Sequence, residues 1–227
     1  MTTTLITGAN RGLGKEAARQ LVAAGHTVYI GARDEARGRA AAEELGARFV
    51  QLDVTDDASV AAAFAHIEAE GGLDVLVNNA GIGLLALNGP DALKVFDTNA
   101  VSIVRVTEAA LPLLTKSANP VVVNVGSALG SFAANHDPAR PASTVSAIVY
   151  GASKAAVSML TVQYARAVPE VRFNVVEPGY TATEFGGVAN SAGRPVEVSA
   201  RNIVRMAVIG ADGPTGTFQE DDAELGW

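Results

Sequence analysis

The chain has 227 residues, of which 48% are hydrophobic and 18% charged, which is enough apolar material for a core and excludes a disordered or coiled-coil protein. Seventeen basic and 24 acidic residues give a formal net charge of −7, so no global positive field favours nucleic acid or an anionic membrane as a partner. Cysteine is absent, which excludes disulfides and thiolate metal sites, and the three histidines are too scattered to predict a zinc site. The first apolar stretch already ends at Gly8, and no run approaches the roughly 20 apolar residues of a membrane span, so we expect a soluble, cytoplasmic protein without a bound metal.

Strand and helix patterns alternate along the chain. Residues 1–31 are predicted to form a βαβ unit. They contain a short apolar run, a glycine turn, a helical pattern ending at Gly25 and a second apolar run. Further β-rich runs lie at 49–52, 73–77, 121–125, 171–176 and near 217–218, and the predicted helices are 34–45, 56–70, 93–116, 150–168 and 198–209. This alternation predicts one doubly wound α/β domain over residues 1–227, with a parallel sheet of about seven strands.

Two irregular stretches, 128–149 and 180–196, each follow a predicted strand at its carboxyl end. Ligands of open α/β sheets bind at this edge of the sheet. We therefore expect both stretches to be substrate loops.

The first turn reads TGANRGLG over residues 7–14 and lies between a strand and a helix. Its glycines would let backbone N–H groups at a helix N-terminus approach a pyrophosphate, so a dinucleotide is the predicted ligand. The spacing G-x-x-x-G-x-G differs from the common G-x-G-x-x-G fingerprint, and a glycine turn made for packing is the alternative. The candidate cofactor contacts in this turn are Gly8, Asn10, Arg11, Gly12, Leu13 and Gly14.

Tyr150 and Lys154 are four residues apart on a predicted helix, so they share a face. An ammonium near a phenol stabilises the phenolate, which would lower the pKa of Tyr150 and make it a usable acid or base. Ser127, after the fifth strand, could donate a hydrogen bond to a substrate carbonyl oxygen. Singly, these residues could be a core tyrosine, a surface lysine and a turn-capping serine. Together they predict a proton-transfer site.

The motifs follow one another in the order glycine turn, Asn-Asn-Ala-Gly at 78–81, Ser127, Tyr-x-x-x-Lys at 150–154 and Pro-Gly at 178–179. In this order they resemble the short-chain dehydrogenase/reductase family over nearly the whole chain. The resemblance implies a Rossmann-type sheet in the strand order 3-2-1-4-5-6-7 and reversible reduction of a carbonyl to an alcohol by hydride transfer, with Tyr150 as the acid or base. It also implies a fourth catalytic residue, Asn99, and further cofactor contacts at Asp53, Val54, Asn79, Ala80, Gly81, Tyr150, Lys154, Pro178, Gly179, Thr181 and Thr183. For Asp53 the alternative is a cap of the helix that follows.

Cofactor choice depends on the end of the second strand. NAD-specific sites place an Asp or Glu there, which binds the ribose hydroxyls and repels a 2′-phosphate. Here the position is occupied by Ala32, and the next residue, Arg33, could clamp the phosphate together with Arg11. The sequence therefore predicts NADPH. The alternative makes Asp34 the ribose acceptor, but Asp34 also suits as the N-cap of the following helix.

A catalytically silent, NADP-sensing regulator is the alternative function, and the intact set of four catalytic residues argues against it. A sugar-nucleotide epimerase shares the Tyr-x-x-x-Lys pair but resembles longer proteins with a separate substrate domain. The expected mouth of the site, formed by Leu84, Leu85, Tyr180 and the two loops, is mostly apolar or small. It favours a medium-sized hydrophobic ketone or aldehyde, a quinone or an acyl-carrier-bound ketone.

The stretch between Ser127 and Tyr150 is longer than in many family members and resembles the larger insertion of monomeric carbonyl reductases. It favours a monomer or homodimer over the tetramer that is usual in the family. Within it, His136 is predicted to be an exposed loop residue rather than an acid. For Trp227 two outcomes stay open, a tail folded back over the site and a disordered end.

Overall fold

The computed structural model describes residues 1–83, 88–183, 185, 192–221 and 223–227. The strands of this part of the chain are β1 Thr3–Thr7, β2 Thr27–Ala32, β3 Arg48–Gln51, β4 Val75–Asn78, β5 Val121–Val125, β6 Arg172–Glu177, β7 Thr217–Glu220 and β8 Ala223–Glu224. They form one sheet in the order β3-β2-β1-β4-β5-β6-β7-β8. The predicted doubly wound order of seven parallel strands is confirmed, and the short β8 adds an antiparallel eighth.

The helices are α1 Gly12–Ala23, α2 Glu35–Leu45, α3 Asp57–Ala69, α4 Gly89–Phe96, α5 Ser102–Leu114, α6 Phe132–His136, α7 Ile148–Ala167 and α8 Val196–Ala207. The predicted helical region over 93–116 is helical but starts earlier, at Gly89, and within it a π-helical turn, Asp97–Val101, joins α4 to α5. Such turns insert an extra residue into a helix and often occur at functional sites. This one carries Asn99, whose side chain is buried.

The core lies in two layers, one on each face of the sheet. Val75 and Val77 of β4 pack into the layer that also holds Leu21 of α1 and Met206 of α8. Leu76, between them, points to the opposite layer with residues of α3 and α5. Strands that are covered on both faces must be apolar on both, which explains their nearly continuous valine-rich runs.

Aspartates cap two of the helices that pack on the sheet. The Asp34 carboxylate accepts a hydrogen bond from the Arg37 backbone N–H at 2.9 Å, at the start of α2. The Asp56 carboxylate does the same for the Ser59 N–H at 2.8 Å, at the start of α3. Each supplies an acceptor for a first-turn amide that has no partner within its own helix.

The C-terminal residues are ordered against the stretch between Ser127 and Tyr150. The Ser131 hydroxyl donates to the Gly226 carbonyl at 2.6 Å, and the Ala133 N–H donates to the Trp227 carbonyl at 2.9 Å. The Trp227 ring lies 5.7 Å from the Phe218 ring, centroid to centroid. Of the two outcomes left open for Trp227, a disordered end is therefore wrong, and the tail packs on β7 and α6.

Candidate active site

The glycine turn joins β1 to α1 at the carboxyl edge of the sheet. Gly8 and Gly12 have φ of +66° and +54°, a left-handed conformation that only glycine adopts at little cost. A Cβ at Gly14 would lie 2.4 Å from the Asn79 Nδ2, so a larger residue here would displace the Asn79 side chain. The side chain of the N-cap residue of α1, Arg11, forms no capping hydrogen bond. The turn is thus a close-approach backbone cradle at a helix N-terminus, which suits a pyrophosphate.

Asn79 ties the end of β4 to this turn. Its side-chain Nδ2 donates to the Thr7 and Gly8 carbonyls, at 2.8 and 3.2 Å. The Thr7 hydroxyl in turn accepts from the backbone N–H groups of Asn79 and Ala80, at 3.0 and 2.9 Å. The segment 79–81 therefore lies directly beside the glycine turn.

Asn99 holds the chain after β4 in a pair of hydrogen bonds. Its Oδ1 accepts from the Ile82 N–H at 2.8 Å, and its Nδ2 donates to the Ile82 carbonyl at 2.9 Å. The same Nδ2 donates to the Ser153 hydroxyl at 3.0 Å, which links the π-helical turn to α7. A Cβ at Gly81 would lie within 4 Å of both the Asn99 Oδ1 and the Lys154 Nζ. Asn99 and Lys154 are therefore neighbours across Gly81.

Tyr150 and Lys154 lie one turn apart on α7 and face the end of β5. The buried Lys154 Nζ donates to the Val125 carbonyl at 2.8 Å and lies 5.8 Å from the centre of the Tyr150 ring. Ser127 lies two residues beyond Val125, and its hydroxyl is placed to interact with the Tyr150 phenol. The structure thus brings Ser127, Tyr150 and Lys154 together.

Two glycines allow the chain after Ser127 to press against α7. A Cβ at Gly130 would lie 2.5 Å from the Lys154 carbonyl carbon, and one at Gly151 would lie 2.9 Å from the Leu129 carbonyl oxygen. Neither position accepts a larger residue unless the backbone moves. Glycine at these two positions, one on each side of the contact, therefore allows the chain after Ser127 to lie close to α7.

The pKa values of the site follow from burial and one nearby carboxylate. Burial and Glu177 raise the pKa of the Tyr150 phenol, and the Ser127 hydroxyl lowers it. Burial lowers the pKa of the Lys154 ammonium to about 8, with Glu177 opposing this effect. In the protein without ligands the pKa of Tyr150 is therefore raised, and a lowered pKa stays a prediction for the complex in which a cationic nicotinamide ring would act together with Lys154.

At the ends of β2 and β3, Arg33 and Asp53 lie side by side. The Arg33 side chain is 79% exposed, and its Nε lies 3.9 Å from the Asp53 Oδ2. Asp53 accepts from the Thr55 N–H and hydroxyl, at 3.0 and 2.7 Å, and does not cap α3, a role that belongs to Asp56. The carbonyl of Val54 accepts from Arg105 at 2.9 Å. This corner presents an exposed guanidinium beside a carboxylate.

The chain after β6 returns to the glycine turn. The Thr181 hydroxyl donates to the Gly179 carbonyl at 2.8 Å, and the Pro178 carbonyl accepts from Arg194 at 2.9 Å. Thr183 lies over the turn, because a Cβ at Gly12 would lie 3.6 Å from its Cγ2. The predicted contacts after β6 are thus on the same side of the sheet as the glycine cradle.

The two expected substrate loops differ in how far they are described. The stretch 128–149 contains two short 3₁₀ turns and α6, at whose end the exposed His136 has its Nδ1 2.7 Å from the Phe132 carbonyl. Its exposure was predicted, but it ends a short helix rather than lying in a loop. Leu84, Leu85 and most of 184–196 lie outside the described residues. Phe185 is described, and its ring lies 5.7 Å from that of Tyr150 in an edge-to-face arrangement.

Glu177 is the residue of this site that the sequence analysis missed. It ends β6, and its carboxylate accepts from the N–H of Ala128, next to Ser127, and from the Gly179 N–H at 2.8 Å. An acidic residue that directly follows a run of buried apolar strand residues, at the carboxyl edge of a parallel sheet, was the available signal.

Two further kinds of feature were sought in the described part of the chain, a metal centre and a membrane-spanning helix. The residues of this part contain no cluster of His, Asp and Glu suited to holding an ion. No helix there has the length and apolar character that a bilayer crossing requires.

Comparison with known proteins places these features in a family. The family model for short chain dehydrogenases matches residues 2–193. A short-chain dehydrogenase/reductase of Stachybotrys chlorohalonatus is 34% identical over 242 residues, covering 95% of this chain and 87% of that protein. The (+)-neomenthol dehydrogenase of Arabidopsis thaliana is 31% identical over 283 residues, covering 94% of this chain and 94% of that protein. The structure of NADPH-bound carbonyl reductase from chicken fatty liver matches with a TM-score of 0.86 at 26% identity, covering 100% of this chain and 99% of that one.

Proposed function

The chain belongs to the short-chain dehydrogenase/reductase family of oxidoreductases, and we propose that it reduces a ketone, aldehyde or quinone to the alcohol, reversibly and with NADPH. One observation carries the proposal. Ser127, Tyr150 and Lys154 converge at the sheet edge that also carries the glycine cradle. A site for proton transfer therefore lies beside a site for a dinucleotide.

The residues present fit a dinucleotide phosphate. The glycine turn offers helix N-terminal amides to the pyrophosphate, and Thr183 lies over the same turn. Exposed Arg33 would hold the 2′-phosphate, with Arg11 from the glycine turn on the other side. Asp53 would contact the adenine. The NADPH in the chicken liver relative supports the same preference here.

Proton transfer is assigned to Tyr150. When bound, NADPH supplies the hydride for the carbonyl carbon. Ser127 donates a hydrogen bond to the carbonyl oxygen and holds it near the phenol. Tyr150 gives its proton to that oxygen as the C–O double bond becomes a single bond, and the phenolate left behind is reprotonated from solvent through Lys154 and Asn99. In the oxidation direction the same groups act in reverse.

The side chains around the mouth favour a hydrophobic substrate. Phe185 packs on Tyr150, and Tyr180 is 73% exposed on the same side. Phe132, Val145 and Ile148, in or beside the stretch 128–149, are also exposed. Apolar groups around a few convergent polar atoms are typical of small-molecule sites.

A cofactor-oxidation screen tests the function directly. Purified protein with NADPH is given aldehydes, ketones, quinones and 3-ketoacyl thioesters, and loss of absorbance at the nicotinamide band is followed. We expect turnover with at least one apolar carbonyl and a much higher kcat/KM with NADPH than with NADH. Tight NADPH binding without turnover of any class would instead favour the NADP-sensing regulator.

The assembly we propose is a monomer or homodimer. Arg140 of the stretch 128–149 forms two hydrogen bonds with Glu220, at 2.8 and 2.6 Å, so this stretch is fastened to β7 beside the start of α7. Light scattering at several concentrations tests the proposal. A stable tetramer would show that the stretch leaves the helical faces free.

A further inference from the structure

Two backbone amides from different loops converge on the carboxylate of Glu177. The Ala128 N–H donates to Oε2, and the Gly179 N–H donates to Oε1 at 2.8 Å. Ala128 follows β5 and adjoins Ser127, whereas Gly179 follows β6 and belongs to the Pro-Gly motif. One side chain therefore joins the loop that carries Ser127 to the loop that carries the predicted cofactor contacts Pro178 and Gly179.

We propose that Glu177 is a positioning residue for the reaction, whose carboxylate clamps these two loops and so sets the Ser127 hydroxyl relative to the Tyr150 phenol. The inference rests on the proposed function, because Ser127 and Tyr150 are its reacting groups. Glu177 itself acts through Ala128 and Gly179.

The bonding pattern requires a carboxylate rather than an amide. Each oxygen of Glu177 accepts one N–H, so both positions must be acceptors. A glutamine has the same shape but offers one oxygen and one NH₂ group, and the NH₂ would face a second donor. An aspartate keeps two acceptors but is one methylene shorter, so it cannot reach both amides at once.

Burial raises the pKa of Glu177, and the hydrogen bonds from Ala128 and Gly179 oppose this by favouring the carboxylate. When ionised, the carboxylate also acts on the site by its charge. The titratable and charged groups that face it are Tyr150 and Lys154 on α7, Glu220 on β7, Arg140 of the 128–149 stretch and Arg194. Its charge raises the pKa of both Tyr150 and Lys154. Removal of this charge should therefore lower both pKa values.

Hydrogen exchange tests the clamp without any activity measurement. In Glu177→Gln we expect one of the two amides, Ala128 or Gly179, to exchange about tenfold faster than in wild type, because it loses its acceptor. Glu220→Gln is the matched control, since it removes a nearby carboxylate that touches neither amide, and exchange at both should stay as in wild type. Unchanged exchange in Glu177→Gln would overturn the clamp.

Kinetics then separate contact from charge. In Glu177→Gln we expect kcat for carbonyl reduction to fall about 10- to 100-fold, because small misplacements of reacting groups are costly, with the KM for NADPH changed less than about twofold. The pH profile of alcohol oxidation should move to lower pH. Glu177→Asp keeps the charge, so it should keep the wild-type pH profile, with a kcat between those of wild type and Glu177→Gln. It also serves as the test if Glu177→Gln does not fold.

Three kinetic outcomes would count against the proposal. The first is a wild-type kcat in Glu177→Gln. The second is a reduced kcat in that variant with an unmoved pH profile, which a general loss of rigidity would also give. The third is a displaced pH profile in Glu177→Asp. A wild-type protein that turns over no carbonyl would refute the proposed function instead, and the exchange measurement would still decide on the clamp.

Discussion

The Lys154 ammonium donates a 2.8 Å hydrogen bond to the Val125 carbonyl from a position that is only 5% exposed. This contact fixes the first turns of α7 on the end of β5, two residues before Ser127. It also keeps a cation in an apolar environment, which disfavours its charged form. The lysine therefore serves the site at the expense of folding stability.

The first prediction concerns stability against pH. Folding lowers the pKa of Lys154 to about 8, below its value in the unfolded chain, so the unfolded state binds more protons above pH 8. The free energy of unfolding of wild type should rise with pH between about 8 and 10, relative to Lys154→Met, with a slope of up to about 1.4 kcal/mol per pH unit. Urea titrations of both proteins at several pH values measure this difference. Parallel stability curves would show that the lysine is not desolvated as described.

The second prediction is the loss of catalysis in Tyr150→Phe. The ring and its contact with Phe185 remain, but the proton donor is gone, so kcat should fall about 10²- to 10⁴-fold while NADPH still binds. Tyr164→Phe is the matched control, because Tyr164 lies on the same helix and its hydroxyl bonds Glu108 away from the site. Steady-state kinetics and cofactor fluorescence check both. Turnover near wild type in Tyr150→Phe would remove the mechanism.

The third prediction concerns cofactor preference. Arg33→Ala should raise the KM for NADPH about 30-fold, as expected for the loss of a charged hydrogen bond, and leave that for NADH nearly unchanged. Arg39→Ala offers a control, since this arginine is similarly exposed and pairs with Glu35 on α2. Equal losses with both cofactors, or a wild type that uses NADH as well as NADPH, would speak against a phosphate contact at Arg33.

The fourth prediction separates the two roles considered for Asp34. As the N-cap of α2, its replacement by alanine should lower the melting temperature by about 2–4 °C without changing the ratio of NADPH to NADH activity. Asp56→Ala, which removes the equivalent cap of α3, should cause a similar loss. A weakened affinity for NADH in Asp34→Ala would instead identify Asp34 as a ribose ligand.

Local patterns in the sequence sufficed for features that depend on neighbouring residues. The caps at Asp34 and Asp56 and the valine-rich strands follow from residue types within a few positions. The proximity of Ser127 and Tyr150 was also predictable, because both residues belong to the ordered set of motifs that resembles the family. The role of Glu177 was not, because one of its two partners is a backbone amide on a loop 49 residues away, and no side-chain pattern records such a contact.

The raised pKa of Tyr150 was not predictable from the sequence, for a related reason. Spacing along a helix places Lys154 near the phenol, but it does not report how much water each group loses or that Glu177 lies opposite. The π-helical turn between α4 and α5 was likewise hidden, because no residue type in this stretch marks the position of the inserted residue.

The central place of β1 in the sheet affects how the chain folds during synthesis. One edge of β1 pairs with β2, the next strand to be synthesised. The other edge pairs with β4, so Leu5 has no partner on that side until Leu76 has been synthesised. At roughly 5–20 residues per second on the ribosome, that edge stays unpaired for on the order of ten seconds. An unpaired apolar strand is a template for pairing with other chains. The arrival of β4 therefore closes the second edge of β1 and removes this template.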